Sequence, residues 1–295
     1  MDRIVRGISK NARFFLVDTT DVVRKAQEIH QCTPGAISTF GRFLTAGLLM
    51  GATLKGKDLL TLRTTTDGLV GQMLLTVDAV GNIKGYLENP NAILPTVQES
   101  YGTLADFLGK GTLTVIKDMG LKEPYSGVSE MNSKDIARDL AYYYYTSEQV
   151  PTVVSLGVSF TKEGEIDFAG GYMIQLLPES EDDFIGALEE KIQMMRSFTE
   201  LRKGGMDLER IIKLIYEDVT DETHKKLIEK YEILEEKKVE YSCNCTRDKF
   251  HSGVLSLNRA QIDDILETEG KLEVACHFCG KTYEFKKEDF EKDFN

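Results

Sequence analysis

The placement of the cysteines constrains this chain more than any other feature. Five occur in 295 residues, at Cys32, Cys243, Cys245, Cys276 and Cys279, so four of the five fall after residue 242. Cys243-Asn244-Cys245 is followed by 30 residues and then by Cys276-His277-Phe278-Cys279. Two close cysteine pairs joined by a short segment are the spacing of a tetrahedral Zn²⁺ site, because a borderline-soft cation favours thiolates and needs four of them converging on one point. Gly280, directly after Cys279, lets the backbone turn tightly around such a centre. His251 and His277 stand close enough in sequence to replace a thiolate, and each reads as a surface or supporting residue rather than a ligand. An inert zinc ribbon is the plain reading of this module. The C-x-C spacing weighs against it: a disulfide closing so small a ring has distorted geometry and is easily reduced, which suits a switch better than a staple.

Size makes the metal matter. The 57 residues after Lys238 can bury little core of their own. Zinc binding contributes roughly 10–16 kcal/mol in small finger peptides, enough to decide whether such a module folds. An odd, sparse set of thiols is not a secreted disulfide framework. Met1-Asp2-Arg3-Ile4-Val5 lacks the basic and apolar stretches of an export signal, and no apolar run reaches the ~18–20 residues of a membrane span. The expectation is a cytoplasmic protein with no membrane partner. With 36 basic and 48 acidic residues the net charge is −12. Binding to nucleic acid draws its affinity from Lys and Arg releasing phosphate counterions, so nucleic acid is not an expected partner.

Charge divides the chain into three. Residues 1–178 carry 19 acids and 17 bases, residues 179–238 carry 17 and 11, and residues 239–295 carry 12 and 8. In the first segment, runs rich in apolar, aromatic and Thr residues and set off by turn signals at Asp67-Gly68, Gly81-Asn82 and Lys162-Glu163-Gly164 predict strands at Ala12–Asp18, Leu59–Thr66, Gln72–Val77, Ile83–Leu87, Leu113–Lys117, Val153–Phe160 and Ile166–Leu176. Helices are predicted at Asp21–His30, Ala36–Leu54 and Ser133–Ser147. Strands in local runs without regular βαβ alternation predict an α+β core domain over 1–178, a largely antiparallel sheet with helices on one face. The middle segment reads as a helical, charge-rich linker. Ser180-x-x-Asp183 resembles a capping box before a stripe of Phe184, Leu188, Ile192, Met195 and Phe198, closed by Gly204-Gly205. Leu208, Ile211, Ile212, Ile215 and Val219 form a second stripe, and Leu227, Ile228, Tyr231 and Leu234 a third. Helices this short need a partner surface.

Other features carry bland readings. Cys32 reads as a small buried apolar residue. Tyr142–Tyr145, inside a helical pattern, reads as packing, with some rings inward and some exposed. Gly35, Gly41, Gly47, Gly51 and Gly56 match no phosphate-binding loop. Four histidines and scattered acids assemble no catalytic constellation, so an enzyme is not expected.

Along essentially its whole length the chain resembles the redox-regulated 33 kDa heat-shock chaperones. The resemblance rests first on Cys243-x-Cys245 and Cys276-x-x-Cys279. Gly51-Ala52-Thr53-Leu54-Lys55-Gly56, Glu123-Pro124-Tyr125-Ser126-Gly127-Val128, Ser147-Glu148-Gln149-Val150-Pro151-Thr152, and Ala169-Gly170-Gly171 through Gln175-Leu176-Leu177-Pro178 support it. The family often has Ser after the C-x-C pair, where this chain has Thr246. The resemblance implies a stress-activated, ATP-independent holdase that binds unfolding client proteins under oxidative and heat stress. It implies one Zn²⁺ per chain on Cys243, Cys245, Cys276 and Cys279 in an inactive reduced form. It further implies disulfides Cys243–Cys245 and Cys276–Cys279 with loss of zinc in an active form, commonly a homodimer. Two other classes compete with it: a zinc-ribbon adaptor for nucleic acid or protein, which the acidic terminal segment disfavours, and a thiol–disulfide oxidoreductase. The latter is disfavoured because no C-x-x-C stands at a predicted strand-to-helix turn.

Overall fold

In the computed structural model, which describes residues 1–94, 103–217, 219–220, 226–227 and 229–291, the segments predicted as strands are strands. The chain forms two compact units, Met1–Tyr241 and Ser242–Asn295. In the first, β1 (Arg3–Ser9) and β2 (Ala12–Asp18) lead into α1 (Thr20–His30) and α2 (Pro34–Gly51). Next come β3 (Leu59–Thr66), β4 (Met73–Asp78), β5 (Asn82–Leu87) and α3 (Leu104–Leu108). They are followed by β6 (Gly111–Asp118), β7 (Tyr125–Met131) and α4 (Ile136–Tyr143), which a π turn extends to Glu148. The long hairpin β8 (Thr152–Phe160) and β9 (Ile166–Leu176) precedes α5 (Asp182–Met194), α6 (Phe198–Lys203) and α7 (Leu208–Glu217). Short pairing strands β10 (Val219–Thr220) and β11 (Lys226–Leu227) precede β12 (Tyr231–Lys238) and β13 (Glu240–Tyr241).

The fold is α+β and largely antiparallel, built on two sheets rather than the single sheet expected. One has the strand order β12-β1-β2-β9-β8, the other β13-β5-β4-β3-β6-β7, and among the described residues only the β13–β5 pair is parallel. Helix α2 explains the pairing of sheets. It is apolar nearly all round, and such a helix must be buried on every side. Gly41 packs against Val158 of β8, and Gly47 against Leu75 of β4; a methyl group at either position would come within 3.0 Å of those side chains. The glycines that carry no phosphate-loop signal therefore let α2 approach both sheets closely. Its buried Thr45 hydroxyl donates to the Gly41 carbonyl at 2.8 Å and meets the Thr19 hydroxyl at 2.8 Å, so that hydroxyl is not stranded.

The middle segment departs from its sequence pattern in three ways. The stripe from Phe184 to Phe198 spans two helices, because Met195 is extended and Ser197 caps α6 in a box with Glu200. Ser180 caps nothing: its hydroxyl donates to the carbonyls of Asn11 and Leu177, at 2.5 and 2.6 Å. The third stripe is not a helix. Tyr231 and Leu234 lie in β12, Leu227 ends β11, and Ile228 falls outside the described residues. Glu, Lys and Leu favour helix locally, but β1 offers a full antiparallel ladder and two cross-strand ion pairs, Arg3–Glu236 at 2.5 Å and Arg6–Glu235 at 2.9 Å. The charges also guard an exposed sheet edge.

The second unit holds α8 (Arg247–Val254), α9 (Arg259–Glu269) and the hairpin β14 (Leu272–Ala275) and β15 (Thr282–Phe285). Its core is small: Val254, Ile262, Leu266, Leu272, Tyr283, Phe285 and Phe290 among the described residues.

Candidate metal centre

The four terminal cysteines are delivered by a tight turn after β14 and by the segment that leads into α8. After β14 the Cys276 N–H donates to the Lys281 carbonyl at 2.9 Å, and the Gly280 N–H donates to the Cys276 carbonyl at 2.8 Å. Gly280 sits at φ +70°, a left-handed conformation that glycine adopts without strain. The other pair precedes α8, whose first turn is capped by Thr246: its hydroxyl accepts the Lys249 N–H at 3.3 Å. A serine would cap equally well.

All four sulfurs lie within 4.8 Å of one another, and all four cysteines are free thiols. Cys243 and Cys276 are 3.8 Å apart, and Cys245 and Cys279 are 3.5 Å apart. A tetrahedron with Zn–S bonds near 2.3 Å has edges of about 3.8 Å, so the cage fits such an ion in size and in donor type. His251 is committed elsewhere: its ring stacks on Phe290 with centroids 5.2 Å apart, and Nε2 lies 3.2 Å from the Asp289 carbonyl. His277 is exposed and outside the ligand cluster. Cys32 lies in the core of the other unit, where burial pushes its thiol up to about 12.

The thiols are electrostatically unequal. Burial pushes Cys243 up to about 12, against a hydrogen bond from the Cys245 N–H. At Cys245 burial acts in the same direction, but the Tyr283 hydroxyl, donating at 3.2 Å, and the neighbouring thiols outweigh it and bring the group down to about 7. Cys279 is raised, chiefly by burial. Tyr283 is absent from the sequence-based candidates. Alternation along β15 carries a signal for it, since Tyr283 shares its buried face with Phe285, but nothing in spacing shows where the hydroxyl points.

A second region bears on function. Val5, Phe14, Leu16, Tyr172 and Ile174 on the five-stranded sheet are buried with Phe184, Leu188, Phe198, Leu201, Leu208, Ile211, Ile212, Ile215 and Tyr216 of α5, α6 and α7. The predicted linker helices are thus the cover of a sheet face. Arg202 fastens α6 there, with its guanidinium 2.7 Å from the Asp18 carboxylate and 5.2 Å over the Phe168 ring. Of the tyrosine run, Tyr143 and Tyr144 are buried and Tyr142 and Tyr145 exposed. No described helix is long and apolar enough to cross a membrane.

Comparison with known proteins agrees with this arrangement. The family model described as Hsp33 protein matches residues 2–286. The 33 kDa chaperonin of Bacillus pumilus is 37% identical over 295 residues, covering 99% of this chain and 98% of its own length. The 33 kDa chaperonin of Caldanaerobacter subterraneus subsp. tengcongensis is 38% identical over 295 residues, covering 99% and 97%. The crystal structure of the 33 kDa chaperonin (heat shock protein 33 homolog) of Thermotoga maritima superposes with a TM-score of 0.85 at 27% identity, covering 98% of this chain and 96% of that one.

Proposed function

The chain belongs to the Hsp33 family of chaperones, and on that premise we propose that it is a redox-regulated, ATP-independent holdase rather than an enzyme. The observation that carries the redox part is the cage of four free thiols with 3.5–3.8 Å sulfur contacts in a unit whose own core is small.

In the reduced form Cys243, Cys245, Cys276 and Cys279 hold one Zn²⁺. The bound ion supplies the folding free energy that the small unit lacks and keeps its ligands deprotonated. A thiolate of the set attacks a peroxide oxygen, takes up one proton and yields a sulfenic acid and water. A second thiolate then displaces hydroxide from that sulfur, leaving with one more proton as water, to give a disulfide. The net change is two thiolates, one peroxide and two protons to one disulfide and two waters. The pairs that form are Cys243–Cys245 and Cys276–Cys279. With its ligands oxidised the terminal module, residues 239–295, loses its metal and its order.

Residues 179–238 are the detachable element of the mechanism, beside a core domain of residues 1–178. When α5, α6 and α7 leave the sheet, two complementary apolar surfaces open: Phe14, Leu16 and Ile174 on one side, and Phe184, Phe198 and Ile212 on the other. Clients are unfolding proteins that expose apolar side chains, with attraction near 25 cal/mol per Å² covered. The active form is a homodimer working in the cytoplasm, and neither nucleic acid nor membrane is a partner.

The decisive experiment pairs two measurements on one sample. Peroxide with mild heat should release one zinc per chain and, in step with it, confer suppression of client aggregation. Zinc release without suppression, or suppression with zinc retained, removes the proposed link.

A further inference from the structure

The geometry points to Tyr283 as the residue that sets how fast the cysteine cage responds to oxidant, by holding a hydrogen bond on the sulfur of Cys245. The inference rests on the redox reading above, and its test can fail independently of it. The Tyr283 side chain lies on β15 and is only 6% exposed. Its hydroxyl donates to Cys245 Sγ at 3.2 Å. The ring is held from two directions: it stacks on Phe250 with centroids 4.9 Å apart and planes 28° apart, and the Lys281 ammonium sits 5.2 Å over it. A donor braced in this way does not swing off its acceptor, which makes it a fixed part of the cage.

The sulfurs differ in where their donors come from. Cys243 and Cys279 are served by the backbone N–H groups of Cys245 and Lys281, which follow from the turns that build the site. The donor at Cys245 belongs to a side chain, so the fold of the turns does not require it. Its effect on the chemistry is direct. Oxidation begins when a sulfur lone pair attacks the peroxide oxygen, and a hydrogen bond withdraws charge from that lone pair. A hydrogen bond to a charged acceptor changes its basicity by roughly one to two orders of magnitude. Thiolate nucleophilicity follows basicity with an exponent of about 0.4–0.5. Removing the Tyr283 donor should therefore speed attack by Cys245 about three- to ten-fold. Tyr283 is a positioning residue that damps one ligand, so that the cage responds more slowly at any given oxidant concentration.

Tyr283→Phe in the full-length, zinc-loaded protein keeps the stacked ring and removes only the hydroxyl. Three readouts are expected to move. Peroxide-driven zinc release should be about three- to ten-fold faster. Alkylation of the reduced, zinc-loaded protein by iodoacetamide, resolved by cysteine with mass spectrometry, should rise at Cys245 and stay level at Cys243, Cys276 and Cys279. In the cobalt-substituted protein the sulfur-to-cobalt charge-transfer band should move to lower energy, as expected for a more electron-rich thiolate. A merely structural role would raise alkylation at all four cysteines together. If the variant binds one zinc and Cys245 is alkylated at the wild-type rate, the proposal is wrong. Should the variant lose its metal, 3-fluorotyrosine at position 283, a stronger donor of nearly the same shape, should slow alkylation of Cys245, and an unchanged rate overturns the idea. Alkylation needs neither oxidant nor client, so this outcome is separate from whether peroxide activates the protein.

Discussion

The covered sheet face and the cysteine module are held together by different forces. Beneath α5, α6 and α7, fifteen described side chains share one apolar seam, and several of them are wholly enclosed. The terminal unit has a core of seven, and its four sulfurs stand at metal-ligand spacing. Burial of apolar surface does not sense oxidant, because nothing in Ile212 or Phe198 reacts with peroxide on the scale of a thiolate. A thiolate cage senses it directly but offers little apolar surface to a client. On the proposed function, sensing and client binding fall to different regions because the chemistry of one is useless for the other.

The largest expected effect comes from taking the metal away. Cys276→Ser, or a strong chelator acting on reduced protein, should remove on the order of 10 kcal/mol from the terminal unit. Hydrogen exchange should then show Ser242–Asn295 losing protection while β1, β2 and β9 keep theirs. A terminal unit that stays protected without metal would break the comparison, since its small core would then be sufficient.

Ile212→Ala tests the other side. The side chain is fully enclosed between α7 and the sheet, and such truncations cost about 2–5 kcal/mol. Proteolysis within residues 182–217 should accelerate, and the reduced protein should gain holdase activity with its zinc still bound. Zinc affinity measured by competition with a chromogenic chelator should stay at the wild-type value. A fall in that affinity would show that the two regions share their free energy.

Arg202→Ala is a smaller cut at the same seam. It leaves the half-buried Asp18 carboxylate with its hydrogen bonds from Thr20 but without its cation. A loss of about 1–3 kcal/mol is expected, read as earlier exchange of the α6 amides in native-state hydrogen exchange.

The smallest effect is a pH dependence at the end of the first unit. His30 Nε2 lies 3.0 Å from the Gly85 carbonyl and 3.1 Å from the Tyr241 hydroxyl, and burial holds its pKa below 6.5. A histidine with a depressed folded-state pKa contributes stability above its unfolded value and loses it as pH falls through the folded one. Protection of the β13 amides should therefore decline as pH drops below 6.5, and His30→Phe should flatten that dependence. An identical decline in the variant would assign it to another group.

How much was legible follows from which residues carried their own signal. Leu59–Thr66 and Ile166–Leu176 are strands with the bounds that their residue types and flanking turn signals predict. Leu208–Glu217 is helical from Leu208 to Ile215 of its stripe, and Val219, the last member, lies in β10 instead. In each, side-chain periodicity and backbone preference agree. Tyr231–Lys238 is the counterexample, a helix-favouring run taken into a sheet by β1. Each cysteine pair was legible for a covalent reason, two and three peptide bonds along the chain, and the meeting of the pairs across 33 and 34 residues was legible only because four thiols at that spacing suit one metal ion. The donor on Cys245 was not, because Tyr283 reaches it from 38 residues away.

The sequence by itself determined the spacing of the two cysteine pairs, the strand segments of the first unit and the apolar stripes of the linker helices. These depend on spacings along the chain, which folding does not change. Only the tertiary structure decided that there are two sheets, that α2 is shared between them, that the linker helices cover one sheet face, and that a tyrosine hydroxyl rests on one sulfur. Each of those is a choice of partner. A stripe or a hydroxyl states what it needs, an apolar surface or an acceptor, and many surfaces in the same chain could supply it. The choice among them is made by the packing of the whole, which no local window contains.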